Sequence, residues 1–92
     1  MKLKGTPFQV KVWRHILRIP IGQVRTYKHM AILLKKPNAA RAVANACSQN
    51  PYAPEVPCHR VIRSDGSLGG YSGVGGLKTK KKLLIKEGYL LK

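Results

Sequence analysis

Acidic side chains are almost missing from this 92-residue chain: Glu55, Asp65 and Glu87 face 18 lysines and arginines. The resulting formal charge of +15 repels itself in any compact state, so a polyanionic partner is the natural counterweight. Nucleic acid is the first candidate and an anionic membrane surface the second. Long apolar runs are missing too. None approaches the roughly 20 residues needed to cross a bilayer, and the N-terminus lacks the apolar core of a signal peptide. Both absences lead us to expect a protein of the cytoplasm or nucleoid (the nucleus in a eukaryote) with no membrane span, and with nucleic acid preferred no membrane partner is expected. Cysteines number two, Cys47 and Cys58. They could pair, but without a secretory signal a reducing compartment is expected. With only His15, His29 and His59 as imidazoles and no Cys-x-x-Cys spacing, no metal site and no cofactor are expected. Repeats, low-complexity tracts and interdomain linkers are also missing, which leaves a single domain over residues 1–92.

What is present is mostly helical in pattern. Thr6-Pro7 is a helix start, a capping hydroxyl followed by proline at the first helical position. Phe8, Val12 and Ile16, with Trp13 and Leu17 beside them, form a core-facing stripe on a helix over about 7–18. Ile19-Pro20-Ile21-Gly22 ends it. Thr26 caps a second helix with Tyr27, Met30, Ala31 and Leu34 on one face. After the break at Lys35-Lys36-Pro37-Asn38, Asn38 caps a third helix whose apolar positions are Ala39, Ala42, Val43 and Ala46. Arg41, Asn45 and Gln49 lie along another of its faces. The apolar residues here are small, which lets a helix approach something closely while the polar row supplies donors. Helices two and three together read as a helix-turn-helix. Asn50 to Pro57 is proline-rich and stiff. Arg63-Ser64-Asp65-Gly66-Ser67 is a turn between short extended runs, read as a small hairpin or wing. A glycine-rich loop surrounds Tyr71 and Ser72, and a last helix over Leu77–Glu87 carries Lys78, Lys80, Lys81, Lys82 and Lys86 before a capping Gly88. The fold class is therefore mostly α with a small β wing, a winged helix-turn-helix-like domain.

The chemistry is concentrated in Pro57-Cys58-His59-Arg60, followed by Val61-Ile62. A thiol attacks only as its thiolate, so a nucleophilic cysteine needs a base and nearby cations. His59 is the adjacent base. Such a base usually needs an orienting acid, and three are on offer: Asp65 at a turn tip, Glu55 in the proline-rich approach, and Glu87 at the end of the last helix. A carboxylate at a helix C-terminus opposes the helix dipole, so Glu87 needs another reason to be there. A salt bridge to one of the many lysines is one reason and a hydrogen bond to His59 is another. A cysteine hydrolase is disfavoured, since no oxyanion-hole motif or peptide cleft is evident.

From about Thr6 to Gly88 the sequence resembles the catalytic, C-terminal domain of the alkylguanine-DNA alkyltransferases, the methylated-DNA–protein-cysteine methyltransferases. The matching stretches are Phe8-Gln9-Val10 with Val12-Trp13, Ile19-Pro20-Ile21-Gly22 with Thr26-Tyr27, Arg41-Ala42-Val43, Asn50-Pro51, Pro57-Cys58-His59-Arg60-Val61, Gly69-Gly70-Tyr71 and Glu87-Gly88. The resemblance implies a single-turnover DNA repair enzyme. An alkyl group passes irreversibly from O-6-alkylguanine, and less readily from O-4-methylthymine, to the cysteine. Carried over, Cys58 is the acceptor, His59 deprotonates it through a bound water, and Glu87 holds the imidazole. Tyr27 donates a proton or hydrogen bond to the leaving guanine, and Asn50 shapes the segment before the site. Arg41 is the finger that fills the gap left by the flipped base. Ala40 and Ala42 allow close approach to the minor groove of double-stranded DNA, where Tyr27, Asn45 and Arg60 also make contact. Val61, Tyr71, Ser72 and Gly69 line the base pocket. The implied state is a monomer. Two positions depart from the family's usual pattern: Ala44, commonly glycine, and Cys47, often a larger side chain. Related alkyltransferase-like proteins lack the reactive cysteine and only flag damage. The alternative to repair is therefore a non-catalytic, lesion-sensing DNA-binding protein, a version that Cys58 argues against.

Overall fold

The computed structural model describes residues 2–69, 71, 73 and 75–89. Among them are four α-helices, one 3₁₀ turn and a two-stranded sheet: α1 (Pro7–Ile16), β1 (Arg25–Thr26), α2 (Tyr27–Leu33), α3 (Ala40–Ser48), the 3₁₀ turn Cys58–Arg60, β2 (Val61–Ile62) and α4 (Gly76–Lys86). The mostly helical class expected from the sequence is what forms.

Helix α1 starts as its sequence dictates. The Thr6 hydroxyl accepts from the Gln9 N–H at 3.1 Å, and the Gln9 side chain accepts from the Thr6 N–H at 2.9 Å, a reciprocal capping box with Pro7 at the first position. The helix stops at Ile16 rather than 18. Arg18 and Ile19 bond back three residues, to His15 and Ile16, so the stripe continues through a tightened turn. Val12, Trp13 and Ile16 are fully buried. Burying each such side chain contributes about 1.5–3 kcal/mol. Trp13 also donates its indole N–H to the Ala46 carbonyl at 2.9 Å, tying α1 to α3.

Thr26 caps α2 as expected, accepting from the His29 N–H at 3.0 Å. The helix ends where Lys35 turns left-handed, at φ 61°. Helix α3 departs from expectation at its start. Pro37 and Asn38 lie in a turn closed by Ala39 N–H to the Lys36 carbonyl, so Asn38 is one residue too early to cap. Ala39 holds that position without a side-chain bond. The buried face is correspondingly rotated. Val43, Ala46 and Cys47 point into the core, whereas Ala42 is exposed beside Arg41 and Asn45.

The turn after β2 forms, with Arg63 N–H to Ser67 O and Gly66 N–H to Arg63 O, but no hairpin does among the described residues. Instead β2 pairs in parallel with β1, Arg25 opposite Val61 and Thr26 opposite Ile62. Val61 and Ile62 are both buried, so this strand is a buried seam beside the Cys58–Arg60 turn rather than an exposed wing. At the other end, Gly88 takes φ 89° and Tyr89 N–H reaches back to the Leu84 carbonyl. This left-handed closure fixes the direction in which Glu87 leaves α4.

Candidate active site

Cys58 opens the 3₁₀ turn, its N–H bonded to the Val56 carbonyl at 2.8 Å. Successive side chains of such a turn diverge by about 120°. The thiol and the imidazole of His59 therefore take different directions, and both are buried at 2% exposure. Asn50 braces the approach to this turn. Its amide donates to the Val56 carbonyl and its oxygen accepts from the Tyr52 N–H, each at 2.9 Å. Neither Cys58 nor Cys47 is in a disulfide.

His59 and Glu87, 28 residues apart in sequence, meet at 2.9 Å between Nε2 and Oε2. Arg60 closes on the same carboxylate from the other side, Nε to Oε1 at 2.9 Å and Nη2 to Oε2 at 2.8 Å, while its Nη1 donates to the Ile19 carbonyl at 2.8 Å. The fork of Arg60 first, and His59 second, hold the Glu87 carboxyl down at about 2 despite partial burial. For His59 burial dominates and lowers its pKa, the pull of Glu87 being outweighed, with the Arg60 and Lys80 cations pushing the same way. The contact is thus a neutral imidazole donating to an ionised carboxylate. A carboxylate only accepts, so Nε2 carries the hydrogen and Nδ1 keeps its lone pair. That Nδ1 is buried and has no hydrogen-bond partner among the described residues. It is the one acceptor of the imidazole left open to a proton donor.

Tyr27 borders the same region, 8% exposed at the start of α2. Burial first, then Cys47 and Cys58, raise its phenol to about 12, so it stays protonated at neutral pH. Gly69, at φ 71°, makes room for it: a Cβ there would sit 2.7 Å from the phenol oxygen. Tyr71 packs edge-on to His59 with ring centroids 6.4 Å apart. Ser72, expected in the pocket, lies outside the described residues. Val61 is wholly buried, and its carbonyl accepts from the ammonium of Lys80 at 2.7 Å.

Lys80 is the residue that sequence reasoning missed. One of five lysines on α4, it has no solvent exposure. Its ammonium also donates to the Leu68 carbonyl and lies 5.8 Å from the centre of the Tyr27 ring. Burial lowers its pKa to about 8, against the opposing pull of Cys47 and Cys58. The available signal was positional: Lys80 is four residues before the buried Leu84, on the inward face of the helix. Arg60, expected at the DNA, directs its guanidinium here to the Glu87 carboxylate and the Ile19 carbonyl.

On α3, Arg41, Ala42 and Asn45 are exposed and Ala40 partly so, forming an open face of small and polar side chains. A cavity of about 210 Å³ opens against it, lined by Tyr27, Ala44, Asn45, Ser48, Arg63 and Gly69. No metal-binding group of three ligands gathers among the described residues, and no helix there is long and apolar enough to cross a membrane.

Fold and site together define a basic helical domain with a buried thiol and, at the next residue, a buried imidazole that a clamped carboxylate orients. A family profile described as "6-O-methylguanine DNA methyltransferase, DNA binding domain" matches residues 7–89. The chain belongs to this family. It is 54% identical over 87 residues to a probable methylated-DNA–protein-cysteine methyltransferase of Acanthamoeba polyphaga mimivirus, covering 95% of this chain and 56% of that protein. It is 52% identical to the methylated-DNA–protein-cysteine methyltransferase of Salmonella typhimurium, covering 95% and 50%. Among solved structures, Mycobacterium tuberculosis OGT in complex with DNA superposes with a TM-score of 0.88 at 48% identity, covering 94% of this chain and 52% of that one. S. pombe Atl1, in complex with damaged DNA containing O6-carboxymethylguanine, superposes with a TM-score of 0.80 at 32% identity, covering 94% and 80%. The chain spans about half the length of the curated methyltransferases it matches.

Proposed function

We propose that this domain repairs alkylated guanine in double-stranded DNA by irreversible transfer of the alkyl group to Cys58. The observation that carries the reading is the state of His59: Nε2–H bonded to Glu87, Nδ1 buried with its lone pair unused. The Cys58 S–H proton goes to Nδ1, through a bound water as in the family. The thiolate attacks the alkyl carbon, the S–C bond forms as the C–O bond breaks, and the electron pair stays on the purine. Tyr27, a neutral phenol, donates to the guanine as that charge develops. The proton taken from the thiol balances the guanine released, so the products are a thioether and an unmodified base.

The reaction needs a nucleotide rotated out of the duplex, at a cost of a few kcal/mol. The exposed face of α3 supports minor-groove contact, with Ala40 and Ala42 against the groove and Arg41 entering the stack. Asn45 and the surface lysines add contacts of no sequence preference. Gly69, Tyr71, Ser72 and the backbone near Val61 form the base pocket.

The test is intact mass after incubation with a duplex containing O-6-methylguanine. A gain equal to one methyl replacing one hydrogen, abolished in Cys58→Ala, supports repair. Tight binding with unchanged mass supports instead a non-catalytic lesion sensor.

A further inference from the structure

The cavity beside Tyr27 carries a charge that the alkyl transfer does not use. Arg63 borders it and is exposed, and its backbone is pinned by the turn that closes Arg63 N–H on Ser67 O. The acid on that turn, Asp65, feels the Arg63 charge but forms no direct ion pair with it among the described residues. Asp65 bends back on Ser67, accepting from its N–H at 2.9 Å and its hydroxyl at 2.7 Å. The ion pairs among the described residues all belong to Glu87. Asn45, on the exposed face of α3, also lines the cavity, while the Ser48 hydroxyl donates to the Asn45 carbonyl at 2.8 Å. Tyr27 and Gly69 line the same cavity, and the Gly69 backbone lies close against the Tyr27 phenol. Arg63, Asn45 and Tyr27 thus line a space of about 210 Å³, and no acidic residue lines it among the described residues.

Such a donor set suits an anion with several acceptor oxygens, and a planar guanidinium suits the two free oxygens of a phosphodiester. A nucleotide leaving the duplex drags its flanking phosphates with it, and these need new partners at the mouth of the site. We propose that Arg63, with Asn45, holds one of the two phosphates flanking the extruded nucleotide, in the cavity beside Tyr27. The inference rests on the repair reading above and adds to it a residue, Arg63, that acts on the nucleotide's backbone rather than on its base.

The experiment compares single-turnover transfer to wild type and Arg63→Gln. The substrates are a duplex with O-6-methylguanine, the same duplex with one flanking linkage made a neutral methylphosphonate (each side in turn), and a free O-6-alkylguanine base. Arg63→Gln should slow the duplex reaction about tenfold, the loss of one charge-assisted hydrogen bond, and leave the free-base rate within twofold. At one of the two linkages, the methylphosphonate should slow wild type by a similar factor and the variant hardly at all. Additive losses at both linkages, an unaffected duplex rate, or an equal loss with the free base would each overturn the proposal. If wild type transfers no alkyl group from any substrate, the repair reading itself fails, an outcome distinct from these.

Discussion

His59 and Arg60, neighbours in sequence, bind the same oxygen of Glu87, at 2.9 Å and 2.8 Å. One carboxylate therefore orients the imidazole while being held rigid and ionised by the guanidinium. An acid at a helix C-terminus is electrostatically misplaced, and these two partners compensate for it.

Glu87→Gln removes the charge that fixes the tautomer of His59 and presents an N–H donor where an acceptor is needed. Alkyl transfer should slow by roughly 10–100-fold, while affinity for duplex DNA stays within about twofold. Single-turnover rates set against fluorescence-anisotropy binding separate the two. Equal rates would remove Glu87 from the mechanism.

Acid should unfold the domain through the same group. The Glu87 carboxyl titrates near 2 when folded, well below the ordinary carboxylate range, so the folded state binds fewer protons between those limits. The stability it contributes is present above about pH 5 and is lost as pH falls toward 2, amounting to about 3 kcal/mol. The lowered pKa of His59 acts in the same direction, starting below the ordinary imidazole range. Urea melts across this window should show a steep loss for wild type and a shallower one for Glu87→Gln.

Lys80 predicts the opposite end of the pH scale. Its folded pKa is about 8, whereas an unfolded lysine keeps its proton to about 10.4. The unfolded state binds more protons between these values, so stability rises with pH through that window. Lys80→Met should abolish that rise relative to wild type, as read from denaturation midpoints at pH 7.5 and 10. It should also slow alkyl transfer, because the Val61 and Leu68 carbonyls lose their shared donor.

Gly69→Ala places a methyl 2.7 Å from the Tyr27 phenol at a residue with φ 71°, whereas Gly66→Ala adds the same methyl at φ 89° with nothing within 4 Å. Both substitutions should cost about 1–2 kcal/mol from backbone strain. Only Gly69→Ala should also reduce transfer to Cys58, by tenfold or so on the scale of one misplaced donor.

Arg41→Ala should slow repair of duplex DNA while sparing reaction with the free base, since the finger role proposed for it operates only where a stack has been opened. Affinity for duplex DNA should fall roughly tenfold or more between 50 and 200 mM salt. A flat response would contradict phosphate-dominated contact.

The elements with strong end signals were legible in the sequence. Thr6-Pro7 with Gln9, Thr26, and Gly88 each marked a helix end by a local hydrogen bond or a left-handed residue. The parallel pairing of Arg25–Thr26 with Val61–Ile62 was not, because two-residue strands carry no periodicity and their partner lies 36 residues away. Asn38 misled because its capping chemistry was sound but a turn held it outside the helix. Within the candidate site, the Cys58–His59–Glu87 grouping could be anticipated from adjacency and the scarcity of acids, with Glu87 singled out by family resemblance. Lys80 could not be separated from its neighbours by composition. A buried lysine and a solvated one share the same letter, and only packing tells them apart.

Glu87 stands one residue before the left-handed Gly88, at the last closed turn of α4. Helix ends are the first parts of a fold to fray. Opening that one turn would release the carboxylate from arginine and imidazole together, so reactivity is tethered to a helix end. Warming would then disarm the protein while most of its backbone is still intact, and a mixed population of armed and disarmed molecules would share one circular dichroism spectrum.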